Sequence, residues 1–128
     1  MITIAYLTMA NAIPAPEASF AVELFNLVTA NETSSSSNVV ISPASIQSCL
    51  AMAYMGAKGE TARQLKEGLK LKGSNREEVA QQFSHQLELL KQENSPLKMA
   101  NRIYVGSQFE LSPNFNELTS KYFQSQAE

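Results

Sequence analysis

Apolar residues recur along this chain with two different periods, and the alternation between them lays out its elements. Phe20, Leu24, Leu27 and Val28 repeat at helical spacing, so the pattern predicts an amphipathic helix over about 16–30, with Pro16 near its start. Asn31 to Ser37 is polar and reads as a loop, with a low-complexity patch at Ser34–Ser37. Val39 to Ile41 is a short β-branched run that predicts a buried strand. Ser42 suits the cap of the next helix and Pro43 its first turn. That helix, ending at Gly56, carries no charged residue, which predicts cover by protein on both faces. Ile46, Cys49, Leu50, Ala53 and Tyr54 form one face, and Met52 and Met55 fill another.

Downstream, Gly56 and Gly59 bound a corner into a third helix, about 59–70, with Ala62, Leu65 and Leu69 on one side. Gly73 breaks the chain, and Ser74-Asn-Arg-Glu77 reads as a capping box with Ser74 as the cap. The helix it opens shows Val79, Phe83, Leu87 and Leu90 at spacings of three and four, and Pro96 follows its end. From Leu97 to Val105 the period changes to two. Leu97, Met99, Ile103 and Val105 share one face, with Asn101 as the polar member among them. A buried Asn there must find hydrogen-bond partners or destabilise the fold. Gly106-Ser107 turns the chain, Ser112-Pro113 repeats the cap-and-proline start, and Phe115, Leu118 and Tyr122 form a last short helix.

Composition narrows the function classes. A chain of 128 residues with 44% hydrophobic content fits one soluble globular domain. Net charge is −2, from ten basic and twelve acidic residues interspersed, which offers no field for nucleic acid. No segment reaches the ~20 apolar residues of a membrane span. All twelve acids are Glu, so a Ser-His-Asp triad is excluded unless Glu substitutes. Internal disulfides are excluded by the single Cys. His85 lies beside the apolar stripe of its helix and reads as a solvated surface residue. Cys49, mid-helix without a cationic neighbour, reads as an inert core thiol. No cluster has the spacing of metal ligands, and no cofactor motif is present, so metal, cofactor and catalytic residues are all read as none. Lys66, Lys70, Lys72 and Arg76 make a modest basic group diluted by Glu67, Glu77 and Glu78, and read as a solvated helix edge. Asn31-Glu32-Thr33 is a glycosylation sequon, of consequence only in a secreted chain. Ala10-Asn11-Ala12 has the small-x-small form of a signal-peptidase site, though no Lys or Arg precedes it.

Several spaced motifs together resemble the N-terminal signature of the serpins. They are Asn38-x-x-x-Ser42-Pro43-x-Ser45-Ile46, Leu50-Ala-Met52, Gly56-Ala-x-Gly59-x-Thr61-x-x-Gln64-Leu65, and Ala100-Asn101-Arg102-Ile103-Tyr104-Val105. Phe109 and Phe115 follow in order, and Phe20-x-x-x-Leu24-Phe25 fits the family's first helix. The resemblance implies an α+β fold, the N-terminal part of the serpin domain over 1–128, with 1–15 a residual signal peptide or a disordered N-terminus. Residues 16–30 would be helix A, 38–42 strand 6 of sheet B, and 43–56 helix B. Helices C and D follow. Residues 97–106 would be strand 2 of sheet A, 112–121 helix E, and 122–128 the approach to strand 1 of that sheet.

The resemblance also implies a function. Family members inhibit serine or cysteine proteases when a cleaved reactive loop inserts into sheet A. Asn38, Ser42 and Ser45 match positions of the shutter over which that sheet opens. The matched motifs stop before helix F, the middle strands of sheet A and the reactive loop. The expectation is therefore a fragment or truncated product of a secreted serpin, with Asn31 glycosylated. Such a chain would not inhibit alone, is not an enzyme, and is prone to self-association. Its parent's partner would be a protease that this sequence does not identify, with no nucleic-acid or membrane partner. The alternatives are a non-inhibitory binding or storage member, a truncated form acting through interaction alone, and a cytoplasmic location.

Overall fold

The computed structural model describes residues 15–30, 38–91 and 99–125. Five helices lie within them: α1 (Ala15–Ala30), α2 (Pro43–Gly56), α3 (Gly59–Gly68), α4 (Arg76–Leu90) and α5 (Pro113–Phe123). The helical expectations thus hold, with ends that differ by at most two residues. Neither expected strand is seen among the described residues. Residues 38–42 and 99–105 are irregular, and among the described residues only Ile103 makes a ladder bridge. An extended segment becomes a strand only through hydrogen bonds to a neighbour, and the β-branched pattern cannot supply that neighbour. Residues 97, 98 and 126–128 of the expected strands lie outside the described residues.

The chain divides into two compact units, Met1–Ala44 and Ser45–Glu128. In the first, α1 buries Phe20 and Ala21, half-buries Leu24 and Val28, and leaves Val22, Phe25 and Leu27 exposed. Leu27 therefore does not join the buried stripe its spacing suggested. Thr29 Oγ1 donates to the Phe25 carbonyl at 2.9 Å, a side-chain bond back onto the preceding turn of the helix.

The second unit is built on the packing of α4 against α5. Val79, Ala80, Phe83 and Leu87 form the buried stripe of α4, and Thr119, Tyr122 and Phe123 that of α5. The Phe83 and Phe123 rings stack with centroids 5.4 Å apart. α2 ends close against α5, since a Cβ on Gly56 would lie 3.1 Å from the Phe115 ring. α3 buries none of its residues, and Arg63 bridges Glu60 and Glu67 on its surface. Past its end, Leu69 and Leu71 are buried. Lys70 adopts a left-handed φ of 56° between them, and Leu71 N–H bonds back to the Lys66 carbonyl at 2.9 Å. This is a Schellman-type stop in which Lys holds the position that glycine prefers.

Two local expectations need correction. The capping box is shifted by one residue: Asn75 caps α4, accepting from Glu78 N–H at 2.9 Å, and Glu78 accepts from Ser74 N–H at 2.7 Å. Asn at the cap position competes well with Ser. Glu77 is thereby freed to face α5, where Tyr122 donates its hydroxyl proton to it and Lys121 lies 3.5 Å away. At α5 the expected cap holds, with Ser112 Oγ accepting from Phe115 N–H at 3.2 Å.

The second correction concerns α2. Its buried face is Gln47, Ser48, Ala51, Met52, Tyr54 and Met55, while Ile46, Cys49, Leu50 and Ala53 are exposed. Cys49 is not a core thiol. In a helix uncharged all round, the apolar pattern does not say which face turns inward.

Candidate functional site

The second unit buries four neutral polar side chains, Gln47, Ser48, Thr119 and Ser125. Asn101 stands at the only polar inward position of 99–105. Its Nδ2 donates one hydrogen to Ser48 Oγ on α2 and the other to the Phe123 carbonyl at the end of α5, both at 3.4 Å. Ser48 is 3% exposed, and Thr119, which donates to the Phe115 carbonyl at 2.9 Å, is fully buried. Ser125 is also fully buried, and its hydroxyl has no hydrogen-bond partner among the described residues. Its backbone N–H reaches the Thr119 carbonyl at 3.2 Å, past Gln124 in the left-handed conformation that caps α5. Next to Ser48 on α2, Gln47 Nε2 donates to the Leu69 carbonyl at 2.8 Å in a buried bond. Asn101, Gln47 and Ser48 thus tie α2 to the 99–105 segment, to the end of α5 and to the turn after α3.

Nothing in this cluster titrates near neutral pH, so it can hold segments together and cannot move protons or attack a carbonyl. Among the described residues no group of three metal-ligating side chains comes together. His85 is exposed, as expected. The basic group is more structural than its composition suggested. Lys66 Nζ donates to the Gly73 carbonyl at 2.7 Å. Arg76 donates to the Ala57 carbonyl and sits over the Tyr54 ring, 5.7 Å from its centroid.

Electrostatics concentrate on two surface arrangements. Bonds from Arg63 and then Gln64 hold Glu60 below the usual carboxylate range, and Glu60 and Glu67 together hold the Arg63 guanidinium protonated. The Tyr122 hydroxyl, and after it the Lys121 charge, lower the Glu77 pKa.

The residues matched to the shutter fall in different places. Asn38 and Ser42 are exposed in the first unit, and Ser45 is half-buried at the start of the second. Asn31 lies outside the described residues. Sequence reasoning flagged Asn101 but missed Ser48 and Ser125. The available signal for Ser48 was its place beside Gln47 in a helix without charges, where buried polar groups must find partners.

Comparison with known proteins is consistent from sequence to structure. The serpin (serine protease inhibitor) family model matches residues 15–128. Serine protease inhibitor 42Dd of Drosophila melanogaster is 41% identical over 108 residues, covering 83% of this chain and 28% of the relative. Leukocyte elastase inhibitor A of Mus musculus is 39% identical, covering 81% of this chain and 27% of the relative. Among solved structures, cleaved Serpin 42Da superposes with a TM-score of 0.78 at 37% identity, covering 88% of this chain and 29% of that one. The native stressed form of Arabidopsis AtSerpin1 shares the fold, with a TM-score of 0.73 at 23% identity. The chain therefore spans under a third of the length of the relatives it matches. With the family model matching nearly the whole chain, this protein belongs to the serpin family.

Proposed function

We propose that these 128 residues form the N-terminal helical support of a serpin-type serine protease inhibitor. The relatives named above as inhibitors carry this reading, through their similarity over most of the chain. In the whole domain a target protease would cleave a reactive loop, and the loop would insert into sheet A as a new strand. The 99–105 segment would be strand 2 of that sheet, seated on α2 and α5. Asn38, Ser42 and Ser45 would serve its shutter. The 128 residues alone would not inhibit, because they supply the seat of a sheet and no recognised reactive loop. The protein would be extracellular, with Asn31 glycosylated, and a cytoplasmic location is the alternative.

The test is incubation of the chain with trypsin-like, chymotrypsin-like and elastase-like proteases, read on denaturing gels. Digestion without a covalent adduct is expected. An adduct with the summed mass of chain and protease would overturn the non-inhibitory reading. Expression in a secreting eukaryotic cell tests location, since glycosidase treatment should lower the mass of secreted chain.

A second reading, a non-inhibitory binding member, is favoured by similarity to corticosteroid-binding globulin of Ovis aries, 37% identical over 94 residues. The same gels on a complete serpin domain carrying this segment separate the two. A covalent trap marks the inhibitor, and cleavage without a trap marks the binding member.

A further inference from the structure

Four hydroxyl residues of this chain have Glu three positions on, Thr29, Ser74, Ser107 and Ser125, and the fold treats them differently. Thr29 lies in the last turn of α1, and its hydroxyl is donated to the Phe25 carbonyl at 2.9 Å. Ser125 is fully buried. Ser74 is exposed, but its acid, Glu77, stands in the first turn of α4 and accepts the Tyr122 hydroxyl, with Lys121 3.5 Å away. Glu78, next in line, accepts from the Ser74 N–H at 2.7 Å. Of the four, only Ser107 is exposed together with its acid, Glu110, on backbone outside any helix.

We propose that Ser107 is a phosphorylation site for a Ser/Thr kinase that selects an acidic residue three positions after its acceptor. Such a kinase holds the acceptor segment extended and reads the acid with basic side chains. Residues 106–110 are all exposed, and Ser107 and Gln108 are the central pair of a turn closed by Phe109 N–H on the Gly106 carbonyl at 2.9 Å. Opening that turn gives up one exposed backbone bond. Presenting Ser74 with Glu77 would instead unwind the start of α4, with the loss of the Asn75 cap and of the bond to Tyr122. Residues 103–120 contain no Lys or Arg and two Glu, so a basic cleft meets no like charge on either side of Ser107. A kinase that reads Arg before its acceptor or Pro after it finds Tyr104, Val105 and Gly106 on one side and Gln108 on the other. In the step itself Ser107 Oγ attacks the γ-phosphorus of Mg-ATP. The bond from that phosphorus to the bridging oxygen breaks, ADP leaves, and the hydroxyl proton passes to the kinase's base. The product carries about two further negative charges in a stretch that exposes Tyr104 at 76% and Phe109 at 66%, and so converts an apolar surface to a charged one. The site does not depend on the inhibitor reading.

Incubation of the full chain with an acid-directed Ser/Thr kinase and Mg-ATP tests it, read by intact mass and by electron-transfer fragmentation. One phosphoryl group is expected, on Ser107, and Ser107→Ala should lose nearly all of it. Glu110→Gln should lower kcat/KM about tenfold, as for the loss of one charge-assisted contact, and Glu110→Asp should recover most of that loss. A kinase that requires Arg before its acceptor should leave Ser107 unmodified. Phosphate on Ser74 in place of Ser107, or no phosphate on the chain, overturns the proposal. A rate unchanged in Glu110→Gln, or equal modification of Ser107 by the Arg-directed kinase, overturns it as well.

Discussion

The two faces of α2 reverse the usual distribution. The face turned into the second unit includes Gln47 at 5% and Ser48 at 3% exposure, beside Met52, Tyr54 and Met55. The opposite face presents Ile46 at 38% and Leu50 at 39%, with exposed Cys49 and Ala53. Hydrophobicity alone would have turned the second face inward. The inward face wins because its polar groups have partners in place, at the Leu69 carbonyl and at Asn101. A buried polar group that is fully bonded costs little, whereas one left unbonded costs the desolvation of that group. The outer face of α2 carries no charged side chain, and the expectation is that it associates in the isolated chain.

The largest expected effect separates the faces directly. Met55→Ala, at a site 1% exposed, should cost about 2–5 kcal/mol. Leu50→Ala, on the outer face, should stay within about 0.5 kcal/mol. Urea denaturation of both variants checks this, and equal losses would mean that the outer face is as tightly packed as the inner one. Next in size is Gln47→Leu, which keeps the bulk and leaves the Leu69 carbonyl without its donor. The loss should be about 1–3 kcal/mol by the same measurement. No loss would show that this carbonyl finds another partner and that the polar inner face is incidental.

The smallest effect is one of pH, at the α4–α5 contact. The Glu77 pKa is lowered in the folded chain, so its bonds to Tyr122 and Lys121 stabilise the fold above the ordinary carboxylate value of 4.5. That contribution is lost as pH falls through the lower folded value. Glu77 is a surface group, so the effect is small. In thermal melts, Glu77→Gln should lower stability at neutral pH and converge with the wild type in acid. A constant gap across the acid range would rule out a role for the carboxylate charge.

Much of this arrangement was legible in the sequence. The 3.6-residue period located all five helices, and Ser112-Pro113 marked the start of α5, because these signals are local. Asn101 stood out because a polar residue interrupts an apolar period of two. What escaped depended on neighbours distant in sequence. Cys49 and Leu50 were read as core because nothing local orients an uncharged helix. The cap of α4 moved from Ser74 to Asn75 because the two are nearly equivalent as caps, and Glu77 had Tyr122 to bind, 45 residues on. The two expected strands needed partners that no local pattern supplies. Ser125, buried with no hydroxyl partner among the described residues, left no mark in any periodicity.

The measurement that bears most directly on the two-faced helix is light scattering of the purified chain, compared with an Ile46→Lys, Leu50→Lys variant. Charges on the outer face should leave the inner packing intact and remove the apolar surface. The account predicts a wild type that associates, with mass rising with concentration, and a variant close to the monomer mass of 14.0 kDa. A wild type that stays at the monomer mass with one sharp thermal transition, or a variant that associates as strongly as the wild type, would contradict it.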